Sequence, residues 1–204
     1  MKNEENTNIL STIENTNIKY HNQNDFYAFE KNDNTGIDVN AKGINYQKEK
    51  TYLNKYSGGL SVFDVAAYIL KKTGQITTMK LQKLVYYCQA WSLVWDEKPL
   101  FPEKIEAWAN GPVIRELFAF HKGMFEISSI AIGNPDLLNF EQKETIDLVV
   151  EFYGDKPSQW LIDLSHQEEP WKKARVGLRV TDRGNRVISL DDIAEYYSSL
   201  PSEE

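Results

Sequence analysis

Apolar residues recur every three to four positions from Ser61 onward, which predicts a series of amphipathic helices. The first helix is predicted to begin at Ser61, whose hydroxyl can accept an amide proton, with Asp64 in the positive first turn as a variant capping box. Gly74 is predicted to end it. One face of this helix carries its apolar residues, which are Val62, Val65, Ala66, Ile69 and Leu70.

The strongest helical pattern follows Thr77 and Thr78, which are predicted to open the second helix. Its apolar positions are Leu81, Leu84, Val85, Cys88, Trp91 and Trp95. Its polar positions, which fall largely on other faces, are Lys80, Gln82, Lys83 and Gln89. We predict that this helix runs through the middle of the domain.

The next segment is predicted to hold a connector, a strand and a helix. Asp96 to Pro102 is rich in turn-forming residues, and Ile105 to Ala109 is typical of a short strand. The run from Asn110 through Pro112 is predicted to end this strand and begin a helix, because proline is favoured at the first helical position. Gly123 is predicted to end that helix.

Residues that favour helix starts indicate four further helices or helical turns, at Asn139 with Gln142, at Pro157, at Pro170, and at Ser189 with Asp192. Together these patterns predict a mainly α fold: a compact multi-helix domain with a short strand or hairpin. We assign this helical domain to residues 58–204.

Residues 1–57 form a polar N-terminal extension of different character. The segment is rich in asparagine, which favours turns over helix interiors, and it shows no sustained period. It nonetheless contains scattered aromatic residues, which a solvated linker rarely carries. We therefore predict an extension partly ordered by packing on the domain or on a partner, with short strands at 36–39 and 43–46.

The charge and the cysteine content of the chain reduce the number of functions that we expect for it. The net charge of −7 gives an acidic surface that repels phosphate, so we expect no direct nucleic-acid partner. Lys172, Lys173 and Arg175 form the densest basic cluster, which we interpret as a solvated face. A single cysteine excludes an internal disulfide. With neither a signal-peptide pattern nor a run of ~20 apolar residues, we expect a cytoplasmic protein without a membrane partner.

The sequence offers little for catalysis or metal binding. The three histidines lack the spacing of a metal site, so we expect no metal and no cofactor. Cys88 with His121 or His166 is the one nucleophilic combination, but Cys88 lies on an apolar stripe, where a thiol usually acts as a small hydrophobe. The pair Glu168 and Glu169 is interpreted as solvated or helix-capping. We therefore expect a protein that is not an enzyme.

Two segments contain more aromatic, glycine, proline or histidine residues than a core requires, and each segment has two interpretations. Ala107 to Val113 is either a rigid strand-to-helix corner or a corner that offers an aromatic side chain to a partner. In the run from Leu164 to Trp171, His166 either bonds backbone groups across a loop with Trp171 below it, or makes a protonatable contact at an interface.

Taken together, three segments resemble a known family. These are the run from Thr78 to Trp91 that contains K-L-Q-K-L-V-Y-Y, the run Ile105 to Val113 that contains A-W-x-x-G-P-V, and L-S-H with P-W between Leu164 and Trp171. In this order they resemble the Panacea domain, also called the SocA-like antitoxin or phage-associated GepA-like domain. The resemblance covers roughly Ser61 to Leu200 and leaves out the extension.

The resemblance implies a compact helical antitoxin that neutralises a cognate toxin by direct binding and needs no catalytic residues or cofactors. Implied partners are diverse toxins, including alarmone-synthetase-like or other basic RNA-targeting enzymes. The alternatives are a proteolytic adaptor that delivers the toxin to a protease, a phage- or prophage-associated host-interaction factor, and last an enzyme built on Cys88 and His166. Candidate partner-binding residues are Tyr86, Tyr87, Trp108, Asn110, Gly111, Pro112, His166 and Trp171.

Overall fold

A computed structural model describes residues 59–200 of the chain. The N-terminal extension, with the strands predicted at 36–39 and 43–46, lies outside these residues. Within them, seven α-helices and two short antiparallel strand pairs confirm the mainly helical fold class. The helices are α1 (Val62–Thr73), α2 (Thr78–Trp95), α3 (Arg115–His121), α4 (Phe140–Tyr153), α5 (Ser158–Gln167), α6 (Glu169–Ala174) and α7 (Leu190–Ser198). The strands are β1 (Ile76–Thr77), β2 (Ile105–Trp108), β3 (Gly111–Ile114) and β4 (Glu126–Ile127).

Helix α1 begins and ends where the sequence predicts. The Asp64 carboxylate accepts hydrogen bonds from the backbone N–H and the hydroxyl of Ser61, each at 2.8 Å, which fixes the first turn. Gly74 follows the last helical residue with φ of +71°, a backbone conformation that glycine adopts without a steric cost.

Helix α2 occupies the centre of the fold, as predicted, and packs against α1, α4, α5, α7 and the strand β3. Thr77 caps its start by accepting a hydrogen bond from the Lys80 N–H at 3.2 Å. The sequence pattern did not indicate that its polar residues Gln82, Lys83 and Gln89 are buried as completely as its apolar stripe. Since neighbours surround the helix, these polar groups must find partners inside the protein.

The segment after β2 differs from the prediction. Gly111 to Ile114 forms β3, antiparallel to β2 with Ile105 opposite Ile114, and helix α3 begins only at Arg115. The helix predicted to start at Pro112 is therefore wrong. Gly111 has φ of +98°, which turns the chain back along β2, and pairing with β2 then holds the residues after it extended.

A third extended segment covers the outer edge of β2. Ala107 donates its N–H to the Arg186 carbonyl oxygen and Ile188 donates to that of Ile105, both at 2.8 Å. Glu106 and Val187 form an antiparallel bridge between these bonds. Strand β2 is thus paired on both sides, which leaves fewer open backbone groups along it.

The remaining helices follow the predicted starts. Asn139 and Gln142 exchange hydrogen bonds at 2.9 and 3.0 Å, which confirms the capping box of α4. Ser189 caps α7 by accepting from the Asp191 N–H at 3.2 Å. The small β1–β4 pair, with Ile76 opposite Ile127, was not predicted, because two-residue strands leave no periodic signal.

Aromatic rings from separate helices fill the core. Tyr87 of α2 stacks on Tyr153 of α4 with ring centroids 4.3 Å apart, and Trp91 packs edge-on against Tyr197 of α7 at 5.2 Å. Apolar residues of α1 join the same cluster. Across residues 59–200, every helix is too short or too polar to cross a membrane.

Candidate functional site

The β2–β3 hairpin is held against the central helix by a buried lysine. Lys83 Nζ donates a hydrogen bond to the Pro112 carbonyl oxygen at 2.9 Å. A Cβ placed on Gly111 would lie 2.6 Å from Ser165 Oγ and 2.8 Å from Lys83 Cε. A glycine is therefore needed here both for its positive φ and because two side chains occupy the space.

A second buried polar side chain of α2 anchors the end of the hairpin. Gln82 Oε1 accepts from the Ile114 N–H at 2.9 Å, and its Nε2 donates to the Ile114 carbonyl oxygen at 3.3 Å. The same Nε2 lies 3.0 Å from His121 Nε2. Burial lowers the pKa of His121 to about 4, so the ring is neutral at pH 7 and can accept this bond.

Behind the hairpin, α2 meets a buried carboxyl group at the start of α6. The Tyr86 hydroxyl donates to Glu168 Oε2 at 3.2 Å, and both residues are buried. Burial raises the pKa of Glu168 to about 8, so this group is mainly neutral at pH 7. Burial also lowers the pKa of Lys83 to about 7, although the nearby Glu168 acts in the opposite direction. The interpretation of Glu168 as solvated is therefore wrong.

Side chains in α6 and just after it donate hydrogen bonds to the hairpin from its other side. Trp171 Nε1 donates to the Trp108 carbonyl oxygen at 2.9 Å, and the His166 ring stacks on Trp171 at 4.2 Å. Arg175 Nη1 donates to the Ala107 carbonyl oxygen at 3.0 Å, with its Nη2 bonded to three carbonyl oxygens between Arg179 and Asp182. Arg175 is thus buried and structural, which corrects its assignment to a solvated face.

The candidate partner-binding residues separate into two groups. Tyr86, Tyr87 and Trp171 lie in the core, and Gly111 and Pro112 are buried within strand β3 of the hairpin, so these five residues are not exposed to a partner surface in this conformation. Trp108, Asn110 and His166 are partly exposed. The structure brings Lys83, the hairpin, Ser165 and Trp171 together, so the segments that carry the resemblance form one cluster.

A cavity of about 420 Å³ opens beside the hairpin, between the start of α2, α3 and residues 183–185. Trp108 and Phe118 form an aromatic wall, with ring centroids 4.8 Å apart. The described residues that line it include no aspartate or glutamate, but they do include four cationic side chains: Lys83, Arg115, Lys122 and Arg183. The lining is therefore rich in side chains that can carry positive charge, of which Arg115 is paired with Glu106.

Sequence reasoning missed most of this cavity. The sequence indicates His121 only as a possible metal ligand or partner of Cys88, and it gives no signal for Arg115. One feature of the sequence does indicate that Gln82 and Lys83 are buried. They lie on a helix whose other faces are apolar, and such a helix is buried on all sides. Their polar ends therefore had to meet buried backbone groups.

The hypothesis that Cys88 is a nucleophile finds little support in the described part of the chain. Cys88 is fully buried, and burial raises the pKa of its thiol well above the usual value, so the reactive thiolate is disfavoured. No cluster of three or more potential metal ligands occurs within residues 59–200.

Fold and site together define a class: a helical domain whose central helix uses buried polar side chains to hold a β-hairpin. The family model of the antitoxin SocA-like, Panacea domain matches residues 81–172, a range that contains nearly all of α2, the hairpin and most of α6. A SocA-like Panacea domain is therefore found at residues 81–172. No curated protein and no solved structure matches the chain significantly.

Proposed function

We propose that this protein is an antitoxin that holds a cognate toxin inactive by binding it directly. The match of residues 81–172 to the antitoxin SocA-like domain carries this proposal. Occlusion of a toxin requires a complementary surface and slow dissociation, and it requires no catalytic group. The buried thiol of Cys88 agrees with a binding function of this kind.

The proposed contact surface is the outer face of the hairpin, which we define by Glu106, Trp108, Arg115 and Val187. Trp108 Nε1 donates to Glu106 Oε2 at 2.8 Å, and Arg115 bonds both oxygens of the same carboxylate at 2.7 and 2.8 Å. Val187 is directly opposite Glu106 across the bridge, so its side chain lies on the same face. Such a rigid aromatic and arginine cluster is typical of the residues that dominate binding energy.

The motif residues beneath this face support the fold and leave partner choice to the exposed residues above them. Lys83 and Trp171 each donate a hydrogen bond to a carbonyl oxygen of the hairpin, and Gly111 leaves room for the side chains that pack against it. Trp108 and Asn110, which are partly exposed, are therefore the best supported of the sequence-predicted contact residues. His166, which stacks on Trp171, is also partly exposed.

The partner that fits the overall charge is a basic toxin. A net charge of −7 favours association with a positively charged protein, such as an enzyme that acts on RNA. We also propose that residues 1–57 contribute to toxin choice, because their composition differs from that of the helical domain. Deletion of residues 1–56 that leaves toxin neutralisation and partner identity unchanged would refute this part.

Co-expression with the protein encoded next to this chain tests the proposal. We expect the neighbour to arrest growth, and this chain to restore growth and to co-purify with it. Rescue in which the neighbour disappears would instead favour a proteolytic adaptor. A neighbour without toxicity would favour a phage-associated host-interaction factor.

A pair of matched variants tests the contact surface. Val187→Asp places a charge on the hairpin face, and Leu137→Asp places the same charge on the 3-10 helix Pro135–Leu137; the two residues are 50% and 55% exposed. We expect Val187→Asp to weaken the complex by at least about tenfold, because the interface must then desolvate a charge. Leu137→Asp is expected to bind as the wild type does. Equal effects of the two variants would place the interface elsewhere.

A further inference from the structure

The small sheet built on the hairpin has one edge that is closed by side chains. Lys83 Nζ donates to the Pro112 carbonyl oxygen at 2.9 Å, and Gln82 bonds both the N–H and the carbonyl oxygen of Ile114. These side chains of α2 bond the backbone groups of β3 that a neighbouring strand would otherwise use. A further strand is therefore excluded from the β3 side of the sheet.

The opposite edge of this sheet is formed by residues 185–188, which we call the edge segment. Its bonds to β2 come from Arg186 and Ile188, on either side of Val187. Because successive residues of a strand alternate in direction, the N–H and the carbonyl oxygen of Val187 point away from β2. Neither group forms a hydrogen bond with another residue between 59 and 200, and Val187 is 50% exposed.

Residues 184–189 also lack two common forms of edge protection. Exposed edges often carry lysine or proline, which discourage pairing, and this stretch contains neither. Its one charged side chain, that of Arg186, is bonded to the Val176 carbonyl oxygen at 2.7 Å. Asn185, Arg186 and Val187 are all exposed. The edge segment is therefore able to accept another strand.

We propose that residues 43–46 of the N-terminal extension pair with the edge segment as an additional strand. A chain that adds to a sheet edge gains main-chain hydrogen bonds, and its alternate side chains contact one face. The run Gly43-Ile44-Asn45-Tyr46 alternates in this way, with Ile44 and Tyr46 as its apolar positions. It carries no charged side chain, so pairing beside Val187 desolvates no charge.

The described chain begins close to this edge. Val62, at the start of α1, donates its N–H to Glu103 Oε2 at 3.1 Å, and Glu103 lies two residues before the start of β2 at Ile105. Ile105 in turn accepts a hydrogen bond from Ile188 at 2.8 Å. Two extended residues span at most about 7 Å and paired strands lie about 4.8 Å apart, so α1 begins on the order of 20 Å from the edge segment.

The chain between residue 46 and the described residues is long enough to make this contact. Residues 47–58 span up to roughly 40 Å when they are extended, which exceeds the separation to be bridged. Covalent linkage over a short chain also gives an effective concentration on the order of millimolar. A strand of only four residues can therefore pair within the chain, whereas a second copy would have to reach a similar concentration in solution.

This pairing places the extension beside the outer face of the hairpin. A residue directly opposite Val187 has its side chain on the same face of the sheet as Val187 itself. The extension then borders the surface that we propose for toxin contact. The pairing does not depend on a toxin, so it can be tested, and can fail, independently of toxin neutralisation.

Amide hydrogen exchange of the full chain, followed by NMR without any partner, tests the proposal. We expect the Val187 amide to exchange at least about tenfold more slowly in the wild type than in Ile44→Pro/Asn45→Pro. Of two consecutive residues in a strand, one directs its N–H to the edge, so two prolines remove that donor in either register. The matched control is Ile37→Pro/Asp38→Pro, in the similar run at 36–39, which is expected to leave the Val187 amide as in the wild type.

The amides of Ala107 and Ile188, which are bonded inside the sheet, report whether the domain stays folded in each variant. Three results would overturn the proposal. The first is a Val187 amide that exchanges as fast in the wild type as in Ile44→Pro/Asn45→Pro. The second is acceleration by the control at 36–39 that equals or exceeds acceleration by the variant at 43–46. The third is protection that increases with protein concentration, which would identify a second copy of the chain at the edge.

Discussion

Lys83 Nζ and the Pro112 carbonyl oxygen are 2.9 Å apart, and this bond joins the second turn of the central helix to strand β3 of the hairpin. Gly111, next to Pro112, has no room for a side chain because Lys83 and Ser165 fill the adjacent space. Three segments distant in sequence thus meet at one contact. The residue types at this contact therefore serve the fold.

Gly111→Ala is expected to destabilise the protein by about 2–4 kcal/mol. The added Cβ meets Ser165 Oγ and Lys83 Cε below 3.0 Å, and φ of +98° adds backbone strain. Gly123→Ala is the matched control, because its φ is +84° but nothing lies within 4 Å of the added atom. Urea unfolding of both variants measures the difference. An equal loss of unfolding free energy in the two variants would show that the hairpin tolerates separation from α2.

Element starts and ends could be predicted wherever a local chemical signal fixes them. Ser61 with Asp64, Thr77, and Asn139 with Gln142 each satisfy backbone N–H groups within one turn, so the sequence carries the whole interaction. The turn at Gly111 was predicted too, but the structure after it was not. Whether the chain continues as a helix or returns as a strand there depends on pairing with β2, which is a contact between elements.

The candidate site was harder to predict for the same reason. Glu168 and Arg175 are charged residues in a charged segment, and only the packing of α6 under the hairpin buries them. Tyr86 and Tyr87 are suitable interface residues by composition, yet α2 is surrounded on all sides. The cavity combines residues from four parts of the chain, and their proximity leaves no periodic pattern in the sequence.

Asn139→Ala is expected to lower stability by about 1 kcal/mol, because the first turn of α4 loses the acceptor of the Gln142 N–H. Asn139→Gly is the control. Glycine loses the same side chain but costs only about a few tenths of a kcal/mol at this position. Thermal unfolding distinguishes the two variants. A loss with glycine as large as that with alanine would mean that the side chain has a further role beyond the cap.

Substitutions of Cys88 separate a binding protein from a hydrolase. Cys88→Ala is expected to retain toxin neutralisation with a loss of about 1 kcal/mol in stability, because the thiol fills space in the core. Cys88→Ser is expected to cost about 1–3 kcal/mol, because it buries a hydroxyl in the same place, and to neutralise the toxin wherever it folds. Growth rescue and urea unfolding measure both effects. Loss of neutralisation by well-folded Cys88→Ala would favour the hydrolase hypothesis.

Glu168→Gln is expected to change how stability depends on pH. The pKa of Glu168 is raised from 4.5 to about 8 in the folded protein, so the native state keeps a proton that the unfolded chain has released. The stability that this proton contributes is complete below pH 4.5 and is lost as the pH rises through 8. The glutamine variant lacks this loss, so its stability relative to the wild type should increase with pH.

The useful range lies between pH 5 and pH 7, because Lys83, with a pKa of about 7, is mainly protonated below pH 7. At pH 5 we expect the variant to lie within about 1 kcal/mol of the wild type, because the glutamine oxygen can still accept from Tyr86. Its relative stability should then rise by up to about 1.4 kcal/mol per pH unit. Glu169→Gln removes an exposed carboxylate that bonds Lys172, and this control is expected to stay within about 1 kcal/mol of the wild type in urea unfolding across this range. A flat difference for Glu168→Gln would mean that Glu168 is already ionised in the core, with Lys83 as its counter-ion.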